Sequence, residues 1–323
     1  MASVPLRRQG TGSWRVKING SMSQPKFRLD RSLTTVVFHP LRRALGGGGP
    51  AVPVLMYHRV CGDPEPGVSP YYQIHTSPSV FRRHLRQLSE AGYRTMDLAG
   101  VAGLLARGEP LASKVVVITF DDGYRDFCTG AFPALQEHHF TATVFLPTAF
   151  IADERTSFKG AECLRWEEVR QLRQAGIQFG SHTVNHPRLA ELGWPEIERE
   201  LRDSKQQMEE RLGETVTAFA YPFAFPQSDR AYAGAFRSLL MQTGYTCCAT
   251  TEIGRVKAGD DPFRLKRLPA NSLDDADFFR AKLEGGYDWL AWPQAATKKL
   301  KQAIAAGGKR SDGTAQMEHA PSH

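Results

Sequence analysis

From Val52 onward, short apolar runs of strand length alternate with stretches in which apolar residues recur every three to four positions. The apolar runs are "VPVLMYHRV", "KVVVITF", "TATVFL", "IQFGS", "TVTAFAYP", "YTCCAT" and "FRLKRLPA", rich in β-branched and aromatic residues. Between them, "SPSVFRRHLRQLSEAG" predicts a helix with Ser77 or Ser79 as N-cap and Gly92 near its end. Further helices are predicted from Arg125 to His138, Trp166 to Ala175, Pro195 to Leu212, Asp229 to Thr243 and Asp274 to Leu283. A strand–loop–helix unit repeated about seven times calls for a parallel sheet covered by helices. Such a sheet is either closed into a barrel or open and doubly wound, and at this length the expected fold is an α/β protein, a (β/α)7-8 barrel, with functional residues on loops at the C-terminal ends of the strands.

Composition narrows the organisation. The 323 residues, 41% hydrophobic, suffice for one large domain. The run "LGGGGP" reads as a linker, which predicts a basic, disordered arm over residues 1–50, a barrel over 51–290 and a tail over 291–323 that ends in disorder. The arm holds nine Lys/Arg against a single acid, Asp30, a net of +8, so the remaining chain sits at −1 out of a total of +7. Such an arm suits anionic lipid, polyanionic glycan or nucleic acid, or it is a plain extension. Zinc-finger spacing and RNA-binding aromatic motifs are both missing, so no nucleic-acid partner is expected. No apolar run approaches a membrane span and no secretion-signal pattern opens the chain, which reads as soluble and cytoplasmic. Five cysteines without a Cys-x-x-Cys pair read as buried thiols in a reducing compartment.

The polar surprises fall at strand ends. In "VVVITFDDGYRD", Asp121 and Asp122 stand side by side where an apolar strand stops, and alternation starts them toward different faces. In "FGSHTVNHPRL", His182 and His186 leave another strand, and Pro187 turns the pair from helix to loop. Together Asp122, His182 and His186 make a three-ligand carboxylate–imidazole set with positions left for water and substrate, the arrangement of a catalytic metal. Asp121 is then free to act as a base.

"TFDDGY" and "SHTVNH", in this order, resemble the metal motifs of the polysaccharide deacetylases, the NodB-homology or carbohydrate esterase family 4 domain. "VPVLMYHRV" is similar to the opening strand of the poly-N-acetylglucosamine de-N-acetylase branch. The resemblance covers roughly Val52 to Leu283 and implies a distorted (β/α)7-8 barrel of NodB type that lacks full closure, a divalent metal, most commonly zinc, and removal of acetyl groups from N-acetylhexosamine units of a glycan. An O-deacetylase or an inactive glycan-binding module on the same fold are the alternatives. It also implies Asp121 as base and Asp122, His182 and His186 as metal ligands.

The family's Arg-x-Pro-Tyr motif is altered. "AYPF" keeps Pro222 but has Ala220 for the arginine and Phe223 for the tyrosine, leaving a backbone N–H at Phe223 for an oxyanion. Arg267 is the candidate replacement for the lost arginine. No Leu-x-His motif follows Ala270, and the resemblance passes the general-acid role to His58. Tyr57, Trp166, Tyr221, Phe223 and Phe225 are candidates to line a sugar groove, although core packing accounts for the same residues. The oligomeric state is open.

Overall fold

A computed structural model describes residues 28–46, 49–62, 68–69 and 73–297. The expectations for the first half of the arm and for most of the tail lie outside these residues. Each of the seven apolar runs becomes a strand: β1 Val54–Tyr57, β2 Val115–Phe120, β3 Thr143–Leu146, β4 Gln178–Ser181, β5 Ala218–Ala220, β6 Cys247–Ile253 and β7 Leu265–Pro269. Each pairs in parallel with the next. Leu55 of β1 pairs with Ile118 of β2 and with Leu268 of β7, which closes the ring. The family resemblance implied an incomplete barrel. Here the weakness is a seam instead, because β4 and β5 share a single register pair, Ser181 with Phe219.

Alternation along the strands divides the core in two. Val54, Val115, Val117, Ala218, Ala220 and Leu265 pack together on the inner face, closed off by Leu98 and Val101 of the helix Leu98–Ala106. Leu55, Tyr57, Val116, Ile118 and Phe120 point outward against helix residues such as Phe81, Leu85 and Leu88. The helix Leu98–Ala106 was missed by the periodicity: two glycines and an almost wholly apolar composition blunt its helical signature.

Most helices match the pattern. Ser77 is the N-cap of Pro78–Glu90 and accepts from the Val80 N–H, Asp229 caps Arg230–Thr243, and Asp275 caps Ala276–Leu283. The segment expected as one helix from Arg125 to His138 is instead a π-helical turn, Phe127–Ala131, followed by Phe132–Glu137. Pro133 cannot donate to the helical ladder, and Gly130 lies so close to β1's exit that a Cβ there would sit 2.4 Å from the Val60 carbonyl oxygen.

The arm itself needs correcting. Residues 29–44 are helical, with a π-helical stretch Thr34–Phe38 in the middle, and they are anchored to the barrel. Arg28 reaches Asp274, His39 pairs with Glu284, and the Phe38 ring stacks on Trp289 at 4.7 Å. Net charge misled the reading, because Arg28 and Arg31 of this stretch pair with acids flanking the helix Ala276–Leu283.

Candidate metal centre

Extending the inward parity one step past each strand end locates the site. Val117, Thr119 and Asp121 share a face, as do Val54, Met56 and His58, and Leu265 and Arg267. At the inner rim Asp121 is gripped by Arg267: one guanidinium nitrogen donates to Oδ1 at 2.6 Å and another to Oδ2 at 2.8 Å. Arg267 is itself fixed by Nε–H donating to the Thr250 carbonyl at 2.9 Å. Both side chains are buried. Burial alone would raise the Asp121 pKa, but Arg267, His182 and His58 outweigh it, so the carboxyl is held below its ordinary value.

Asp122 takes the other direction through its backbone, at φ 73°, a left-handed conformation unusual for a residue with a Cβ. Gly123 follows at φ 61°. The turn sets Asp122 Oδ1 3.1 Å from His186 Nε2 and 3.5 Å from His182 Nε2. Thr183 and His186 are also left-handed, at φ 73° and 53°, so the loop curls back and brings two imidazoles onto one carboxylate. Such strain clusters at functional sites.

His182 donates its Nδ1–H to the Ala220 carbonyl at 2.7 Å, which leaves Nε2 unprotonated and facing Asp122. Its burial lowers the pKa to about 4, favouring the neutral, ligating form. For Asp122, burial is opposed by His186, His58 and His182, and the carboxyl is held far below the usual range. Asp122 Oδ1 and His186 Nδ1 are buried without a hydrogen-bond partner among the described residues. The potential ligand atoms of Asp122, His182 and His186 lie within 4.8 Å of one another. Buried acceptors converging on one point repel unless a cation sits among them, so the donor set fits a divalent metal.

His58 is half-buried at the end of β1. Burial lowers its pKa, Asp121 and Asp122 oppose that, and Arg267 and Lys159 add to it. The net shift is downward, away from the near-neutral value wanted of an acid. Phe223, at φ 57°, lays its ring edge-on to His186 at 4.6 Å.

Other groove candidates prove to be core. Tyr57 has the wrong parity: it points outward, bonds His84 Nδ1 at 3.0 Å and packs on Phe81 and Phe120. Tyr221 is buried against Phe225 and Phe236, its hydroxyl on Tyr232. Trp166 and Pro222 are buried too.

Three neighbours of the centre carry no signal in the sequence. Phe158 packs on His186 at 5.1 Å, and Lys159 reaches over Phe223. Glu200, from the helix Trp194–Leu212, accepts from the Val184 and Asn185 N–H groups at 2.8 and 2.9 Å and from the Asn185 side chain at 2.7 Å. It thereby holds the loop between the two histidines. A carboxylate every few turns of an exposed helix is unremarkable in sequence, and only folding puts this one behind the loop.

A parallel barrel carrying a buried Asp–His–His centre beside an aspartate clamped by arginine is the architecture of a metal-dependent hydrolase. Residues 108–247 match the family model for polysaccharide deacetylase. It is 26% identical over 233 residues to YxkH of Bacillus subtilis strain 168, named for the polysaccharide deacetylases, covering 72% of this chain and 76% of that one. Over 117 residues it is 33% identical to the poly-beta-1,6-N-acetyl-D-glucosamine N-deacetylase of Escherichia coli K12, covering 33% of this chain and only 17% of that protein's length. Among solved structures, the Streptococcus pyogenes deacetylase PplD, in complex with acetate, superposes with a TM-score of 0.61 at 26% identity, over 73% of this chain and 99% of that one.

Proposed function

We propose that the protein is a zinc-dependent hydrolase that removes acetyl groups from N-acetylhexosamine units of a glycan. The observation that carries the reading is the pairing of a bidentate Arg267–Asp121 contact with the Asp122–His182–His186 cluster at one barrel mouth. Zinc suits a mixed imidazole and carboxylate donor set, and when bound it supplies Lewis acidity toward an acyl oxygen and a water.

Within this reading the chain's own residues divide the work. Asp121, kept ionised and oriented by Arg267, takes a proton from the attacking water. The Phe223 backbone N–H is the donor assigned to the developing oxyanion. His58, leaving the neighbouring strand β1 close to both carboxylates, returns a proton to the departing amine. Asp122, His182 and His186 hold the metal and take no proton. Phe223, partly exposed beside His186, offers the sugar an aromatic face.

The test is acetate release from N-acetylglucosamine oligomers by metal-stripped protein, before and after adding zinc. Release only with metal supports the reading. Activity confined to acetylated xylan would make the protein an O-deacetylase, and glycan binding without release would make it a binding module.

A further inference from the structure

The helical segment 29–44 sits on the barrel with its polar side inward. Arg28 pairs with Asp274, Arg31 with Asp275 and His39 with Glu284, while Arg42 donates to the Glu284 carbonyl. Thr34 is buried and accepts from the Trp289 indole N–H at 3.0 Å. Its apolar side chains look out instead: Leu29 is 59% exposed, Val36 73%, Val37 46%, Leu41 52% and Leu45 77%. Trp289 stacks on Phe38, and Trp292, three residues further along the chain, is 84% exposed. This inverts the ordinary rule for a surface helix and builds an apolar stripe of the kind that marks an interaction site.

Charge says what covers it. The single acid of residues 28–46, Asp30, turns inward to Arg28 and Tyr287. Arg43 is exposed on the same segment. Residues 1–27 carry Arg7, Arg8, Arg15, Lys17 and Lys26 with no acid, and Lys298, Lys299, Lys301, Lys309 and Arg310 follow Trp292 before the first acid, Asp312. An apolar stripe framed by cationic chain on both sides complements a surface with anionic headgroups and an apolar layer beneath them. Tryptophan at the edge suits that interface. A second copy would set one +7 chain against another, and nucleic acid offers no apolar layer to receive the valines and leucines.

We propose that the segment 29–44, together with Trp292, docks the barrel on an anionic lipid surface. The stripe enters the boundary between headgroups and acyl chains, and the basic residues that flank it in sequence supply the charge that anionic headgroups attract. This proposal does not depend on the deacetylase reading.

The full chain is sedimented with vesicles of phosphatidylcholine, alone or with about one quarter phosphatidylglycerol. The expected result is binding to the mixed vesicles, weakened as salt rises from about 0.1 to 0.5 M. Replacing Val36→Asp with Val37→Asp should lower that binding by about tenfold or more while leaving the melting temperature close to that of the parent. If that variant loses cooperative melting, Val36→Gln with Leu45→Gln repeats the test with side chains that suit a helix. Unchanged binding in the stripe variants would overturn the proposal, since the basic segments alone would then explain it. So would a wild-type chain that ignores the mixed vesicles, or one that is dimeric and becomes monomeric in the variants without ever binding lipid.

Discussion

At the scale of single residues, the Asp121–Arg267 pair gives the sharpest predictions. Asp121→Asn keeps the shape but loses the carboxylate proposed as base, so turnover on N-acetylglucosamine oligomers should fall by about 100-fold or more. Calorimetry on the same variant should still find the metal site, because the ligands are other residues. Arg267→Lys removes the two-pronged grip on the Asp121 carboxylate. The guanidinium lowers the Asp121 pKa, so its loss raises that pKa, and the base becomes protonated at pH values where it is now free. The acid limb of kcat/KM should therefore move to higher pH. An unmoved limb would remove Arg267 from its role and leave it a structural arginine.

At the scale of elements, the site depends on how strand ends and one helix meet. Asp122, Thr183, His186 and Phe223 all adopt left-handed backbone at the mouth of the barrel, and the elements around them hold that geometry in place. Glu200 is one such support, acting through the Val184–Asn185 backbone and not by touching the centre. Glu200→Ala leaves two N–H groups without their acceptor and frees the loop that bears His186. Metal affinity measured by calorimetry should drop by about 10- to 100-fold, the usual cost of losing an outer partner of a ligand. Glu200→Gln, which keeps an acceptor oxygen, should recover much of it. Equal affinity in Glu200→Ala would show that the left-handed turns suffice alone.

At the scale of the whole molecule, a buried polar spine joins the outer face of β1 to the helix Ala276–Leu283. Tyr57 bonds His84, His84 bonds the Asp274 carbonyl, and the Asp274 carboxylate takes Lys282 Nζ at 2.7 Å. Burial lowers the His84 pKa to about 4, with Asp274 opposing, from an ordinary 6.5. Between those values the unfolded chain holds a proton that the folded chain refuses. Stability should thus fall as pH drops from about 6.5 toward 4, by on the order of 3 kcal/mol from this group. His84→Phe should take part of that slope out of urea unfolding curves, and an identical slope would count against it. Metal enters at this scale as well. Binding to the folded state alone stabilises it by about 4 kcal/mol at a thousandfold excess over Kd. A chelator should accordingly lower the melting temperature, zinc should restore it, and His186→Ala should respond to neither.

The sequence alone determined the seven barrel strands, most of the helices and the Asp122–His182–His186 set. Each is written locally, as a period of two or of three to four, or as a polar motif where an apolar run stops. Tertiary structure decided what depends on distant partners. Arg267 meets Asp121 across 146 residues of chain, and Glu200 backs a loop from another element. Parity fixed only when the strands closed into a ring, and it sent Tyr57 into the core while His58 turned to the site. The first helix shows the same limit most plainly. Its basic residues looked like a free arm because the acids that hold them, Asp274, Asp275 and Glu284, lie more than two hundred residues away. A contact between residues so far apart leaves no period in the sequence, and only the folded chain brings the charges together.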